Sequence, residues 1–443
     1  MKWCLFHLPR ETMKMVLPID DEHLPRRDVF CIDVKSFFAS VEAVRRRIHP
    51  LHAYVIVIAH KERSGSVVLA ASPRVKKEFG IKTGSRNYEI PKDPRLIIVE
   101  PSMALYLKVN KMILDIFRRF VAEEDLHCYS IDEAFLDVTA SKRLFGDKFT
   151  IARTIQRTVW QELRLVVTIG IGDNPLLAKL ALDNEGKNAP NGISYWSYED
   201  VPTKLWAIDP ITNMWGISNG YTRALHNIGI ESVKDLAYAD KWKLKRKFGL
   251  LGEQLYYHAW GIDYSIISEK VGAREKSFSE GQILLRDYYR EDEIMIVIKE
   301  MTEDVAMRLR QHGAAAAGIA LGISYSRDIE DRGFRHQIVL PRSTNKTAEL
   351  CEHFVRLFKK YWDGQPVRQI HVVCSKLQPA AHEQMDLFTP PELDERRHFL
   401  DETIDQIRDR FGKKAIFHAY SLMKGGTYLQ RAGHIGGHKG SSY

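Results

Sequence analysis

Hydrophobic positions along the chain change period three times. Up to about residue 200, continuous apolar runs of strand length alternate with stretches of helical spacing. VFCIDV (29–34), YVIVIA (54–59), SVVLAAS (66–72), RLIIVE (95–100) and LVVTIGIG (165–172) have the pattern of buried strands. SFFASVEAVRRR (36–47), PRVKKEFG (73–80), MALYLKVNKMILDIFRRFV (103–121), FTIARTIQRTVWQEL (149–163) and PLLAKLALDNEGK (175–187) predict helices. Ser36 suits an N-cap of the first of these, and Gly80 closes the second. HCYSIDEAFLDVT (127–139) fits one long strand or two short ones turning at the adjacent acids. The alternation predicts an α/β or α+β region.

Residues 198–268 are mostly helical in pattern and rich in Trp, Lys and Tyr. Within them WGISNGYTRALHNIGI (215–230) leads through a glycine turn into a helix and closes on a second Gly-Ile. It resembles a helix–hairpin–helix, whose turn offers backbone N–H groups to a DNA phosphate. Gly216, Ser218 and Gly220 are then the DNA-binding candidates, although Ser218 stands where such motifs often have glycine. An ordinary helix–turn–helix packing unit is the alternative. A polar stretch, SEKVGAREKS (268–277), reads as a linker.

Beyond it the pattern is βαββαβ: strands at 278–288, 318–327, 334–341 and 367–377, helices at 291–311 and 347–362. Ile294, Val297, Ile298, Met301, Val305 and Leu309 share one face of the first helix, and Leu350, Phe354, Leu357, Phe358 and Tyr361 one face of the second. This order predicts a split-βαβ sheet with both helices on one side and the other side open to a ligand. Residues 379–443 are polar, with a short amphipathic helix expected over 394–411 and a flexible Gly/His-rich end. His434 and His438 in that end read as solvated rather than metal-bound.

Composition narrows the class. The chain has 443 residues, too many for one ordinary core, and 44% are apolar. The formal net charge is +8 and the pI about 9.0, which favours a polyanionic partner without specifying one. The five cysteines lie far apart with no CxxC pair, so neither a zinc site nor a disulfide framework is expected. Mean hydropathy is −0.29, and no apolar run reaches the ~18 residues a membrane helix needs. A cytoplasmic protein with no membrane partner is the expectation.

The candidate chemistry lies in the acids. Asp33 ends one strand, and Asp132 and Glu133 sit side by side in another strand-like stretch. Burying carboxylates is costly unless a cation is shared among them. With no His or Cys cluster nearby, a hard, oxygen-seeking ion is indicated, Mg²⁺ with Mn²⁺ as a substitute. Three carboxylates can hold two such ions ~4 Å apart, the arrangement for in-line nucleotidyl transfer. Helix caps or arginine pairs are the plainer reading of any one of these acids.

DVKSFFASVE (33–42) with YSIDEAFLDV (129–138) resembles the signature of the Y-family translesion DNA polymerases. The likeness continues through VLAASPRVKKEFGIKTG (68–84) and GIGDNPLLAKLALDNEGKNAPNG (170–192) and covers about 26–378 in order. CIDVKSFFAS, GSVVLAAS, EDVPTKLW and QLYYHAWGID give it a finer similarity to the UvrX-like and UmuC-like group of Gram-positive bacteria, their plasmids and phages.

The resemblance implies an α+β multidomain right hand. Its palm is 26–45 and 104–197, small fingers 46–103, helical thumb 198–268, linker 269–277 and βαββαβ little finger 278–378, followed by the tail 379–443. It implies that Asp33, Asp132 and Glu133 are catalytic and hold two Mg²⁺ ions with the backbone carbonyl of Val34. Lys77 and Lys187 match positions that hold the triphosphate, and Arg74 falls where many members have a tyrosine touching the same phosphates. Phe38 matches the steric gate against a ribose 2′-hydroxyl, with Phe37 shaping the same floor; plain core packing is the alternative for both. Lys179 is left between a DNA contact and a solvated helix lysine.

QMDLF (384–388) resembles the bacterial sliding-clamp-binding peptide, with Gln384, Leu387 and Phe388 as anchors. Primer–template DNA, dNTPs and the sliding clamp are the implied partners. The implied activity is low-fidelity DNA synthesis past damaged bases in an SOS-type response. A non-catalytic, clamp-associated DNA-binding protein derived from a polymerase is the second hypothesis; its expected hallmark, a lost carboxylate, is not met. A cyclase on a palm-like fold is a third, which the hairpin motif and clamp peptide fit poorly.

Overall fold

The computed structural model describes residues 24–269, 276–380 and 391–440. The chain divides into two compact units, Met1–Lys270 and Val271–Gly440. The peptide at 384–388 lies outside the described residues.

In the first unit the order is β1 (Val29–Val34), α1 (Phe37–Arg45), β2 (Val55–Ile58), β3 (Val68–Ala71), α2 (Pro73–Phe79), β4 (Ile97–Val99), α3 (Met103–Phe117), β5 (Leu126–Cys128), β6 (Glu133–Asp137), α4 (Lys142–Phe145), α5 (Lys148–Leu163), β7 (Val167–Gly172), α6 (Pro175–Ala181) and β8 (Ile193–Trp196). Strands β5-β6-β1-β7-β8 form one sheet and β3-β2-β4 a smaller one. The ambiguous stretch around the acids is thus two strands, with Asp132 in the turn before β6. Strand β1 lies in the middle of its sheet, antiparallel to both neighbours. That position explains its unbroken apolar run, because both of its faces are covered. Phe30, Ile32 and Val34 face the core shared with α3 and α5, and Val29 and Cys31 face α6.

Helix α6 can come this close because β7 carries glycines. A Cβ at Gly170 would run into the carbonyl oxygen of Ala178, and one at Gly172 into the Ala178 backbone nitrogen. Helix α6 then continues through one wide turn over Leu182–Gly186. The helices α7 (Asn219–His226), α8 (Val233–Ala237), α9 (Lys241–Phe248) and α10 (Leu250–Ala259) follow. Their core, with Leu225, Leu236, Leu255 and Trp260, includes Leu176, Leu177 and Leu180 of α6.

The second unit has β9 (Phe278–Tyr288), α11 (Glu291–Gln311), β10 (Ala314–Tyr325), β11 (Gly333–Thr344), α12 (Thr347–Tyr361) and β12 (Val367–Pro379), the βαββαβ order the periodicity predicts. The sheet order is β11-β10-β12-β9, antiparallel throughout. The six apolar residues expected on one face of α11 are all buried, as are Leu350, Phe354, Leu357 and Phe358 of α12. Burying one such side chain contributes ~1.5–3 kcal/mol. Ile283, Leu285 and Val339 are exposed. They alternate with the core residues Leu284 and Leu340, so the far face of the sheet is open.

The tail differs from its expectation. Helix α13 spans Pro391–Phe411, followed by α14 (Tyr428–Arg431) and a hairpin of β13 (His434–Ile435) and β14 (His438–Lys439). Tyr428 and Thr427 are buried, and Thr427 donates through both N and Oγ1 to Glu300 of α11. The segment read as flexible is therefore packed on α11. Its polar composition hid this, because what it covers on α11 is charged.

Candidate active site

The end of β1 meets the start of β6 so that Asp33 and Glu133 are direct cross-strand partners. Their side chains stand on one face, about 4.5–5.5 Å apart at Cβ by strand geometry. Asp132 sits in the turn alongside. Two hydrogen bonds fix that turn: Val34 N donates to Asp132 O at 2.9 Å, and Asn110 Nδ2 of α3 donates to Ile131 O at 2.7 Å. Ser130 Oγ donates to Asp132 Oδ1 at 2.7 Å. Acids remote in sequence are thus gathered at one sheet end.

Lysines from α6 and its extension stand against them. Lys187 Nζ lies 3.4 Å from Asp33 and 2.8 Å from Asp183. Lys179 pairs with Glu133 and, at 3.0 Å, with Asp183. Lys179 is 7% exposed, so it is neither a solvated lysine nor a free DNA contact. Burial works against its charge, but Glu133 and Asp183 around it hold its pKa above the ordinary lysine value. Cys31, two residues before Asp33 on the same strand face, donates its thiol to Glu133 Oε1 at 3.0 Å.

The cluster remains short of positive charge. Burial, with Asp132 and Glu133 as like charges, pushes the Asp33 carboxyl up to about 6 against the pull of Lys187. Among the described residues no three Asp, Glu, His or Cys groups form a ready-made metal cage. The donors are nevertheless of the kind a hard divalent ion takes: carboxylate oxygens, desolvated and mutually repelling. Mg²⁺ is usually held by one or two carboxylates plus substrate phosphates rather than by a complete protein cage. The residues fit such an ion.

The two phenylalanines separate. Phe37 is 2% exposed and belongs to the core, so it does not line a substrate floor as expected. Phe38, one position on, is half-buried and packs at the junction of two cores. On α2, Arg74 is exposed, ion-paired to Glu78 at 2.8 Å and placed over the Tyr54 ring. Lys77 is exposed. Neither contacts the acids among the described residues. The lysine that turns toward them is Lys76, whose Nζ donates to Ser36 Oγ at 3.0 Å. Burial lowers its pKa, Asp33 raises it, and Lys187 and Lys35 lower it.

Sequence reasoning missed Lys76, Asp183, Asn110 and Cys31. The i,i+4 spacing of 179, 183 and 187 was the available signal for an ion-paired helix face. At the hairpin, Gly216 has φ +92°, and Ser218 takes the N-cap position of α7 without a side-chain cap bond. Gly216, Ser218 and Gly220 are all exposed.

Comparison with known proteins bears on this arrangement. The impB/mucB/samB family matches residues 32–183, and its C-terminal domain matches 275–387. The chain is 46% identical over 422 residues to the putative UV-damage repair protein UvrX of Bacillus subtilis, covering 95% of this chain and 100% of that protein. It is 35% identical over 413 residues to DNA polymerase IV 2 of Halalkalibacterium halodurans, covering 93% and 98%. A Y-family DNA polymerase chimera of Dbh and Dpo4 superposes with a TM-score of 0.64 at 21% identity, over 79% of this chain and 98% of that one. No described helix is long and apolar enough to cross a membrane. The chain belongs to the impB/mucB/samB family and has the fold of a Y-family DNA polymerase.

Proposed function

We propose that the chain is a DNA-directed DNA polymerase that copies past damaged template bases by two-metal-ion nucleotidyl transfer. The observation that carries this reading is the meeting of Asp33, Asp132 and Glu133 at one sheet end with too few cations around them. Divalent ions bound there, Mg²⁺ or Mn²⁺, supply Lewis-acid activation of the primer 3′-hydroxyl and neutralise charge on the departing pyrophosphate. Asp33, Asp132, Glu133 and the Val34 carbonyl hold them.

The chain's own groups orient the reactants. Lys187, which stands 3.4 Å from Asp33, would bind triphosphate oxygens, with Lys77 and Arg74 of α2 on the same phosphates. Phe38 lies under the sugar and excludes a 2′-hydroxyl. Exposed backbone at Gly216, Ser218 and Gly220 takes a DNA phosphate. In the right-hand division of the chain, 26–45 with 104–197 is the palm, 46–103 the fingers, 198–268 the thumb and 278–378 the little finger. The peptide at 384–388 binds a sliding clamp, and the biological setting is SOS-type damage tolerance and mutagenesis.

The test is primer extension in Mg²⁺ on undamaged and abasic templates. The expected result is metal-dependent insertion on both. Failure to extend the undamaged primer would remove the polymerase reading. Extension that stops at the abasic site would leave a polymerase without translesion activity.

A further inference from the structure

The Phe38 ring is held from behind. It lies flat on Tyr106 of α3, with centroids 4.4 Å apart and planes 15° apart. Tyr106 is fully buried, and its hydroxyl donates to Glu42 Oε1 at 3.0 Å. Glu42, one turn beyond Phe38 on α1, is also fully buried. Its other oxygen accepts from Arg46 Nη1 at 2.5 Å, and Arg45 Nη1 stands 4.0 Å away. A carboxylate this buried is tolerated because it is paired and hydrogen-bonded. Burial, and after it the Glu42 carboxylate, push the Tyr106 phenol pKa up, so the hydroxyl keeps its proton and remains a donor. Phe37 meets Tyr106 edge-on, with centroids 6.2 Å apart. A charged pair and a phenol therefore form one line of contacts that ends at the half-exposed face of Phe38.

We propose that Tyr106, anchored through Glu42 and Arg46, is a positioning residue that sets sugar selectivity by fixing the height of the Phe38 ring. The inference rests on the reading of Phe38 as the sugar gate. A steric gate discriminates through a repulsive contact, which is steep in distance. A displacement of ~1 Å is enough to change such a step by orders of magnitude. Buried side chains behind a functional group give it that precision, and a loosened backing is how a site loses it. Tyr106 supplies a flat surface at stacking distance, and the Glu42 hydrogen bond fixes where that surface lies.

The test is single-nucleotide insertion of a dNTP and the matching rNTP opposite one template base, using full-length chains carrying Phe38→Ala, Tyr106→Leu, Tyr106→Phe and the double change Phe38→Ala/Tyr106→Leu. Phe38→Ala should raise the ribo/deoxy ratio of kcat/KM most. Tyr106→Leu should raise it about tenfold, and Tyr106→Phe, which loses only the anchor, should raise it less. In the Phe38→Ala background the Tyr106 change should add nothing, because it acts through the ring. An unchanged ratio in Phe38→Ala would overturn the gate reading and this inference with it. A raised ratio in Phe38→Ala but not in the Tyr106 variants would overturn the inference alone, as would a Tyr106 effect of equal size without Phe38. If Tyr106→Leu does not fold, Tyr106→Phe decides: a raised ratio supports the role and an unchanged one overturns it.

Discussion

Each unit of this chain gathers acids in a place sheltered from water; lysines alone serve one cluster, and chiefly arginines serve the other. In the second unit, Arg431 pairs with Asp304 at 3.0 Å and also with Glu280. Arg408 reaches Glu303 at 2.9 Å, and Lys413 reaches Asp304 at 2.8 Å. In the first unit, Lys179 and Lys187 pair with Glu133 and Asp33, Lys76 stands near Asp33, and the Ser130 hydroxyl and Cys31 thiol donate to Asp132 and Glu133. A guanidinium keeps its charge and spreads its donors over a rigid plane, so that one Arg431 nitrogen serves both Glu280 and Asp304, whereas a lysine ammonium is a point charge on a flexible stem. The arginine-served acids are closed and structural. The lysine-served acids can exchange their partner for another cation, as the chemistry proposed for that sheet end requires.

Neutralising one charged group on each side of the comparison should give opposite results. Asp33→Asn should reduce nucleotide insertion on the order of a thousand-fold, since several kcal/mol of charge stabilisation at ~1.36 kcal/mol per tenfold is lost. Its thermal melting at pH 7 should be no lower than wild type. The sign follows from the raised carboxyl. Between the ordinary value of 3.8 and about 6 the folded state holds a proton that the unfolded chain releases. Wild-type stability therefore falls as pH rises through that window, and the asparagine variant lacks this loss. A large drop in melting temperature would place Asp33 with the structural acids.

Arg431→Met should instead destabilise the second unit by about 3–5 kcal/mol, because it leaves the buried Glu300 and Asp304 and the half-buried Glu280 without their guanidinium. Urea unfolding with hydrogen exchange on α11 measures it. Wild-type protection of α11 in that variant would mean the C-terminal segment is not needed there.

Smaller effects sharpen the active-site side. Phe38→Ala should raise ribonucleotide insertion relative to deoxyribonucleotide by about 10–100-fold. Phe37→Leu, a change inside the core, should alter stability by about 1 kcal/mol and leave that ratio alone. Replacing Leu387 and Phe388 by alanine should bring the ratio of synthesis with and without the clamp to about one, as loss of two anchors predicts. Full stimulation of that variant would show the peptide match to be accidental.

What the sequence discloses follows the same division. The acids were legible because each stands at the end of an apolar run, where a charge needs a reason. The βαββαβ unit was legible because six core positions of α11 repeat at helical spacing. Which of Phe37 and Phe38 faces the core was not legible, since neighbours on a helix point about 100° apart and either phase fits the pattern. Lys76, one position before Lys77, was missed for the same reason. Lys179 was misread because its partners come from β6 and its own helix, a pairing that depends on the close approach allowed by Gly170 and Gly172. The folded C-terminal segment was hidden because what it packs against on α11 is charged, and a polar composition reads as solvated until its partners on α11 are seen.

The central claim is tested most directly by a crystal structure of the chain with primer–template DNA, an unreactive dNTP and Mg²⁺. The account predicts cation density between the oxygens of Asp33, Asp132 and Glu133 at about 2.0–2.1 Å, with Lys187 on the triphosphate. Carboxylates still paired with Lys179 and Lys187, and no cation among them, would contradict it.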